Sequence, residues 1–233
     1  MPIKTLDYPR AKLEIDITNE QEERLRLFSC AKEPWTINFI EGLPEGTVFW
    51  DIGANVGAYT LVAVSRGLPV VAIEPAFFNY FALCKNLALN NMLDKAVAIC
   101  AALGDKAGFD WFHYQDMRMG SASHILGGSR KITHHQQVIP VFILDQILLQ
   151  VPVPLNPRAL KIDVDGGELG VLRGATESLK GDAIIRILTE MPLEEEKEIA
   201  GFLNNLGWQM VGRYDERNGQ KIGGVAYGEF ARA

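Results

Sequence analysis

Short apolar runs alternate with amphipathic stretches along most of the chain, and this alternation predicts an α/β domain. The clearest unit starts with strand formers at Val48, Phe49 and Trp50 and reaches Asp51. Gly53 and Gly57 flank a short turn, and a helix-compatible run with Leu61, Val62 and Val64 follows. About 20 residues on, the apolar run Val70 to Ile73 ends in Glu74-Pro75, which completes the layout of the first βαβ unit of a nucleotide-binding sheet. A helix is expected from Phe77 to near Asn90, with Phe77, Phe81, Leu83, Leu87 and Leu89 apolar and Phe78 and Tyr80 on adjacent faces. Ala96 to Ala102 reads as a strand, and Phe109 to Tyr114 as another with period-two alternation.

Residues 115–137 are polar and glycine-rich, containing Ser121-Ala122-Ser123-His124 and Gly127-Gly128-Ser129. Loops this long inside a compact domain are usually functional or mobile. Strand character returns from Val138 to Ile143, and Leu144-Asp145 opens a short helix to near Gln150. A connection with Pro152, Pro154 and Pro157 leads to a buried strand from Ala159 that ends at Asp163, before the glycine turn Asp165-Gly166-Gly167-Glu168. A helix from Glu168 to Leu179 directs Leu169, Val171, Leu172 and Ala175 inward. A strand from Ala183 to Leu188 then ends in Thr189-Glu190. The helix Leu193 to Asn205 begins with acids, which suit the positive end of a helix dipole. Strands Trp208 to Tyr214 and Val225 to Phe230, joined through the turn Asn218-Gly219, predict an antiparallel edge on an otherwise parallel sheet. Ahead of the sheet, Asn19 can cap a charged helix from Glu20 to near Ala31. Pro34 interrupts it, and Trp35 to Ile40 offers aromatic and β-branched residues. Residues 1–45 are therefore expected as an extension or lid and residues 46–233 as the main domain.

Composition narrows the classes. The chain has 233 residues, 48% hydrophobic and 22% charged, a soluble globular balance that supports one full core. The net charge of −6 is spread along the sequence without a basic block, which disfavours a nucleic-acid partner. Three widely spaced cysteines, Cys30, Cys84 and Cys100, suggest neither a disulfide framework nor a zinc site. The first residues lack the apolar core of a signal peptide, and no run approaches ~18 apolar residues. The cytoplasm is the expected location, with no membrane partner.

Glycine spacing separates the candidate ligands. A dinucleotide fingerprint would place glycine at position 55, where this chain has Asn55, so NAD is disfavoured. Asp51-x-Gly53-x-Asn55-x-Gly57 instead resembles the first motif of S-adenosylmethionine (SAM) methyltransferases. SAM needs an open turn under its methionine part and an acid for its ribose. Glu74 is placed to accept both ribose hydroxyls, with Pro75 beside the adenine. Gly53, Ala54 and Gly57 keep the turn open, Asn55, Tyr59 and Thr60 are within reach of the methionine end, and Asp51 supports the loop. Ala102 and Leu103 fall near the adenine by position.

Several segments together resemble the FkbM-type SAM-dependent methyltransferases, from about Val48 to Glu190. They are Asp51 to Gly57, Glu74-Pro75, Ala102-Leu103-Gly104-Asp105, Ser121-Ala122-Ser123, Leu144-Asp145, Lys161 to Gly166 with Glu168, and Leu172-Arg173-Gly174-Ala175. The resemblance implies a Rossmann-like class I methyltransferase, a mostly parallel seven-stranded sheet with helices on both faces and an antiparallel last strand. It also implies methyl transfer to a hydroxyl oxygen of a small molecule such as a sugar or secondary metabolite. Asp165, Gly167 and Ile143 depart from the family's usual Glu, larger residue and Thr. A hydroxyl acceptor must lose its proton as the bond forms, and Asp163, Asp165 and Glu168 are the acids placed for this, with Asp163 leading. His113 and His124 are further candidates, while His134-His135 reads as a solvated loop pair. Asp163 and Glu190 have oxygens that suit magnesium, but two acids alone predict no metal site. An NAD-dependent oxidoreductase and a non-catalytic SAM-binding module are the competing readings, and a homodimer is possible.

Overall fold

The computed structural model describes residues 2–127, 135–153, 157–217 and 220–232. His134, Pro154 and the Asn218-Gly219 turn, along with Gly128 and Ser129, lie outside the described residues. Strands β1 (Ile3–Thr5) and β2 (Glu14–Asp16) form an antiparallel ribbon, followed by helices α1 (Glu20–Arg26), α2 (Ser29–Lys32) and α3 (Pro34–Glu41). Asn19 does cap α1, its side chain accepting the Glu22 N–H at 3.0 Å. The expected single helix to Ala31 is instead two, split at Leu27 and Phe28. Pro34 starts α3 rather than only interrupting, because a first helical residue needs no N–H. Trp35, Thr36, Phe39 and Ile40 then bury one face of it, so packing overrides their β-branched and aromatic character.

The main domain continues with β3 (Val48–Ile52), α4 (Ala58–Ser65), β4 (Val70–Ile73), α5 (Phe77–Leu89) and β5 (Ala96–Ile99). The predicted strand Ala96 to Ala102 divides here. β6 (Ala102–Leu103) leaves for a second sheet with β7 (Gly108–His113), β8 (Ile125–Leu126) and β9 (Gln136–Phe142), in the order β6-β9-β7-β8. After α6 (Leu144–Ile147) come β10 (Arg158–Ile162), α7 (Glu168–Arg173) and α8 (Thr176–Lys180). β11 (Ile184–Pro192) runs through Thr189 and Glu190, and α9 (Glu196–Asn205) starts later than expected. β12 (Trp208–Tyr214), the ribbon β13 (Glu216–Arg217) with β14 (Gln220–Lys221), and β15 (Val225–Arg232) finish the chain.

The seven-stranded sheet has the order β12-β15-β11-β10-β3-β4-β5. β11, β10, β3, β4 and β5 pair in parallel, while β15 inserts antiparallel between β11 and β12. Successive residues of β3 face opposite layers, as a pleated strand requires: Val48, Trp50 and Ile52 join the core under α7–α9, and Phe49 joins the one containing α3 and α4. Every residue of α4 from Ala58 to Val64 is buried. In α5 the inward face differs from the predicted one. Phe77 and Phe81 are 46% and 57% exposed, and Phe78, Asn79 and Asn86 turn inward beside Leu83 and Leu87. Asn86 accepts from Asp16 N–H and donates to Val56 O, so two backbone groups that packing would otherwise orphan are satisfied.

Candidate active site

Three adjacent strands, β10, β3 and β4, end side by side, and their order marks the switch point where the crevice of such a sheet forms. Gly53 makes the crossing of two turns possible. It has φ +82°, and a Cβ there would sit 1.7 Å from the Asp163 carbonyl oxygen. Asn55 adopts the left-handed region at φ 51°, which Asn tolerates better than most side chains. Its N–H donates to Glu74 Oε2 at 2.8 Å, and its Nδ2 donates to the Ser121 carbonyl at 2.8 Å. Gly57 is left-handed too, at φ +87°, and a Cβ there would also meet Leu83 Cδ1 at 2.4 Å.

The strand ends carry their acids into different surroundings. Asp51 is fully buried, accepts the Thr60 hydroxyl at 2.7 Å, and lies 3.5 Å from the ammonium of Lys161. Lys161 also lies 3.3 Å from Asp163 Oδ2. Burial alone would lower the Lys161 pKa, but Asp163, Asp51 and Glu33 hold it well above the usual lysine value. Burial likewise pushes Asp163 up, and Lys161 and Lys32 more than reverse this, so Asp163 sits below the ordinary carboxyl range. Glu74 accepts the N–H groups of Asn55 and Ala76, yet burial dominates and pushes it up to about 7. Asp165, at φ 59°, accepts the Ser123 N–H at 2.7 Å and is raised by burial and by Asp163. Glu190 accepts the Tyr227 hydroxyl at 3.2 Å, and burial together with Asp163, Glu168 and Asp165 pushes it up to about 9.

Glu74, Asp163, Asp165 and Glu190 line a cleft that is open to solvent. Of the residues expected from sequence, Gly53, Asn55, Glu74, Pro75, Asp163 and Asp165 line it. Ala54 and Tyr59 line a smaller cavity under the glycine turn, where the Tyr59 hydroxyl donates to the Ser29 carbonyl. Glu168 stands behind the cleft wall, fully buried, and holds the β10–α7 turn by accepting from Val164 and Gly166 N–H. Ala102 packs with Phe78, Phe112 and Tyr114, and Leu103 joins the main core, so neither lines the cleft. Pro75 and Phe112 are among its apolar lining residues. His124 lines it too, with Nδ1 accepting from Gln115 N–H. Burial lowers its pKa to about 4, so it is neutral near pH 7. His113 is buried outside the cleft.

Sequence reasoning missed Arg26, Lys32, Asn79, Phe112 and Tyr227, all of which line the cleft. Asn79 had a readable signal, a polar residue at an inward position of an apolar helix. Its Oδ1 accepts Gly120 N–H and its Nδ2 donates to Ser121 O. Arg26 and Lys32 had none, because the two helices that place them carry no motif. Among the described residues no group of three or more His, Cys, Asp or Glu side chains is arranged to hold a metal ion, and no helix is long and apolar enough to cross a membrane.

The donor set fits S-adenosylmethionine. A buried carboxylate at the end of β4 suits a ribose diol, apolar lining residues such as Pro75 and Phe112 suit a purine, and the ionised Asp163 suits a cationic donor. Comparison with known proteins points the same way. Residues 51–210 match the methyltransferase FkbM domain. "Methyltransferase 1" of Beauveria bassiana is 25% identical over 201 residues, 78% of this chain and 76% of that protein. The hexuronic acid methyltransferase AglP of Haloferax volcanii is 25% identical over 142 residues, 60% of this chain and 55% of that protein. In fold, the chain is similar to a putative tRNA methyltransferase of Streptococcus pneumoniae solved with S-adenosyl-L-methionine, with a TM-score of 0.51, 16% identity, and coverage of 86% and 71% of the two chains. By its sheet, its cleft and its sequence, the chain belongs to the FkbM family of SAM-dependent methyltransferases.

Proposed function

We propose that the protein methylates a hydroxyl oxygen on a small polyhydroxylated acceptor, of which a sugar is the leading class. The observation that carries this reading is that Asp163, Asp165 and Glu190 all line the cleft, where burial and then the nearby Asp163 and Asp165 raise Glu190. Carboxyl groups accept hydrogen bonds from hydroxyls, and a protonated one also donates. The relative from Haloferax volcanii, by its name, acts on a hexuronic acid, which accords with this class.

Bound S-adenosylmethionine supplies an electrophilic methyl on a sulfonium. The chain's own residues position the acceptor and take its proton. Glu74, braced by the Asn55 N–H, holds the ribose end, with Pro75 at the adenine. Asp163 stays ionised beside Lys161, which makes it a weak base and a strong fixed anion. Sequence reasoning placed the base there first, but the Lys161 contact favours Asp165, whose pKa is raised toward the working range where general bases act best. Glu190, protonated near neutral pH, donates to an acceptor oxygen and orients it. Residues 1–45, as an extension or lid, contribute Arg26 and Lys32 to the site.

The test is transfer from SAM carrying a 13C-labelled methyl group to a panel of neutral and acidic sugars, read by NMR. The expected product is an O-methyl ether. With that acceptor, Asp165→Asn is expected to lower kcat by about 100-fold or more while leaving S-adenosylhomocysteine affinity within a factor of about two. Label appearing on nitrogen or carbon of a wider acceptor set contradicts the reading.

A further inference from the structure

We propose that Arg26 is the counter-charge that holds the α-carboxylate of S-adenosylmethionine, so that a residue outside the family-matching segment completes the cofactor site. This rests on the cleft being the cofactor site. The methionine end of the cofactor carries both an ammonium and a carboxylate. The cleft is rich in carboxylates, which suit the ammonium and the sulfonium. A ligand carboxylate taken from water needs a cation or donor N–H groups in return.

The polar side chains first expected at the methionine end are already committed. Thr60 donates its hydroxyl to Asp51 at 2.7 Å, Tyr59 donates to Ser29 O at 3.1 Å, and Asn55 Nδ2 donates to Ser121 O at 2.8 Å. Three cations line the cleft or the small cavity beneath the glycine turn: Lys32, Lys161 and Arg26. Lys161 is engaged with Asp51 and Asp163, and Lys32 with Glu33 at 3.0 Å. Arg26 donates Nε to the Gly120 carbonyl at 2.9 Å, and among the described residues its Nη1 and Nη2 have no hydrogen-bond or ion-pair partner. Its charge is felt by Asp163 and Asp165, yet among the described residues its Nη1–Nη2 edge makes no hydrogen bond.

Its position is fixed rather than chosen by a mobile surface side chain. Arg26 lines both cavities, so it stands at the seam between the glycine turn and the open cleft. Gly120, whose carbonyl accepts its Nε–H, is itself held by Asn79 Oδ1 and packs against both Glu22 and the Arg26 stem, where a Cβ would come within 2.5 Å of Glu22 Cγ and 3.3 Å of Arg26 Cγ. A planar fork whose Nη1–Nη2 edge is free matches a carboxylate bidentately, and pre-orientation reduces the entropy lost on binding. The cation thus arrives from the N-terminal helices, upstream of residues 51–210 that the family match covers.

Calorimetric titration of the full chain with SAM and with decarboxylated SAM, which lacks only that carboxylate, tests the assignment. Wild-type protein is expected to prefer SAM. Arg26→Gln is expected to weaken SAM by about 10- to 100-fold and decarboxylated SAM by about twofold or less, with Arg26→Lys intermediate. Equal weakening of both ligands would assign Arg26 a purely structural role through Gly120 and overturn the proposal. Unchanged SAM affinity would overturn it as well, leaving the guanidinium for an anionic acceptor. Failure of wild type to bind either ligand would overturn the cofactor reading itself.

Discussion

Position 55 needs a residue that accepts a left-handed backbone, and Asn meets that need while adding an amide that a glycine would lack. The amide ties the glycine turn to Ser121, and the backbone N–H of the same residue buttresses Glu74. Glu190 is the residue whose environment is most readily measured. Its carboxyl is raised from an ordinary 4.5 to about 9. Between those values the native protein holds a proton that the unfolded chain has released. Stability therefore falls as pH rises across that window and is regained below it. Glu190→Gln, neutral at every pH, is expected to melt above wild type near pH ~8 and to converge with it near pH ~4.5. Parallel melting curves across that range would contradict the assignment. Residue identity at Asp51, Gly53, Asn55 and Glu74 was legible because motif spacing reports backbone constraint directly. The environments were not, since Lys32 near Asp163 and Tyr227 on Glu190 arrive from elements far away in sequence.

Elements were read well where one periodicity ruled and badly where packing decided. β3, α4, β4 and β10 follow their apolar patterns because both faces are covered. α3 did not, and α5 turned Phe77 outward and Asn79 inward, since buried backbone groups needed its amides more than the core needed a ring. Some family segments prove to be joinery rather than chemistry. Gly174 approaches the Gly104 carbonyl so closely that a Cβ would lie 2.2 Å away, Asp145 N–H donates to Gly174 O, and the Asp145 carboxylate accepts the Glu177 and Ser178 N–H groups. The most consequential joint within the sheet is the β10–β3 pair, where Lys161 and Asp51 stand directly opposite each other. Lys161→Met leaves Asp51 an uncompensated buried charge and is expected to cost about 3–5 kcal/mol, read as a lower urea midpoint. A loss below about 1 kcal/mol would show that the pair is not stabilising.

At the scale of the whole molecule, the cleft is built from pieces that the chain brings together from its full length. The segment Met119 to Ser123 is the hub. It receives Asn19 and Arg26 from the N-terminal helices, Asn55 from the glycine turn and Asn79 from α5, and its Ser123 N–H reaches Asp165. That convergence explains why the polar loop, unreadable by periodicity, sits at the site. The N-terminal segment is likewise continuous with the core, where Leu6, Leu13, Trp35 and Phe39 pack with Phe49 and the residues of α4. The central claim is that the cofactor sits at the β10–β3 switch point with its ribose on Glu74 at the end of β4. Titration of S-adenosylhomocysteine into wild type and Glu74→Ala by calorimetry tests it most directly. The account predicts saturable one-to-one binding to wild type and a loss of about 100-fold or more in the variant, with its fold retained by circular dichroism. Equal affinity for the two proteins would contradict it.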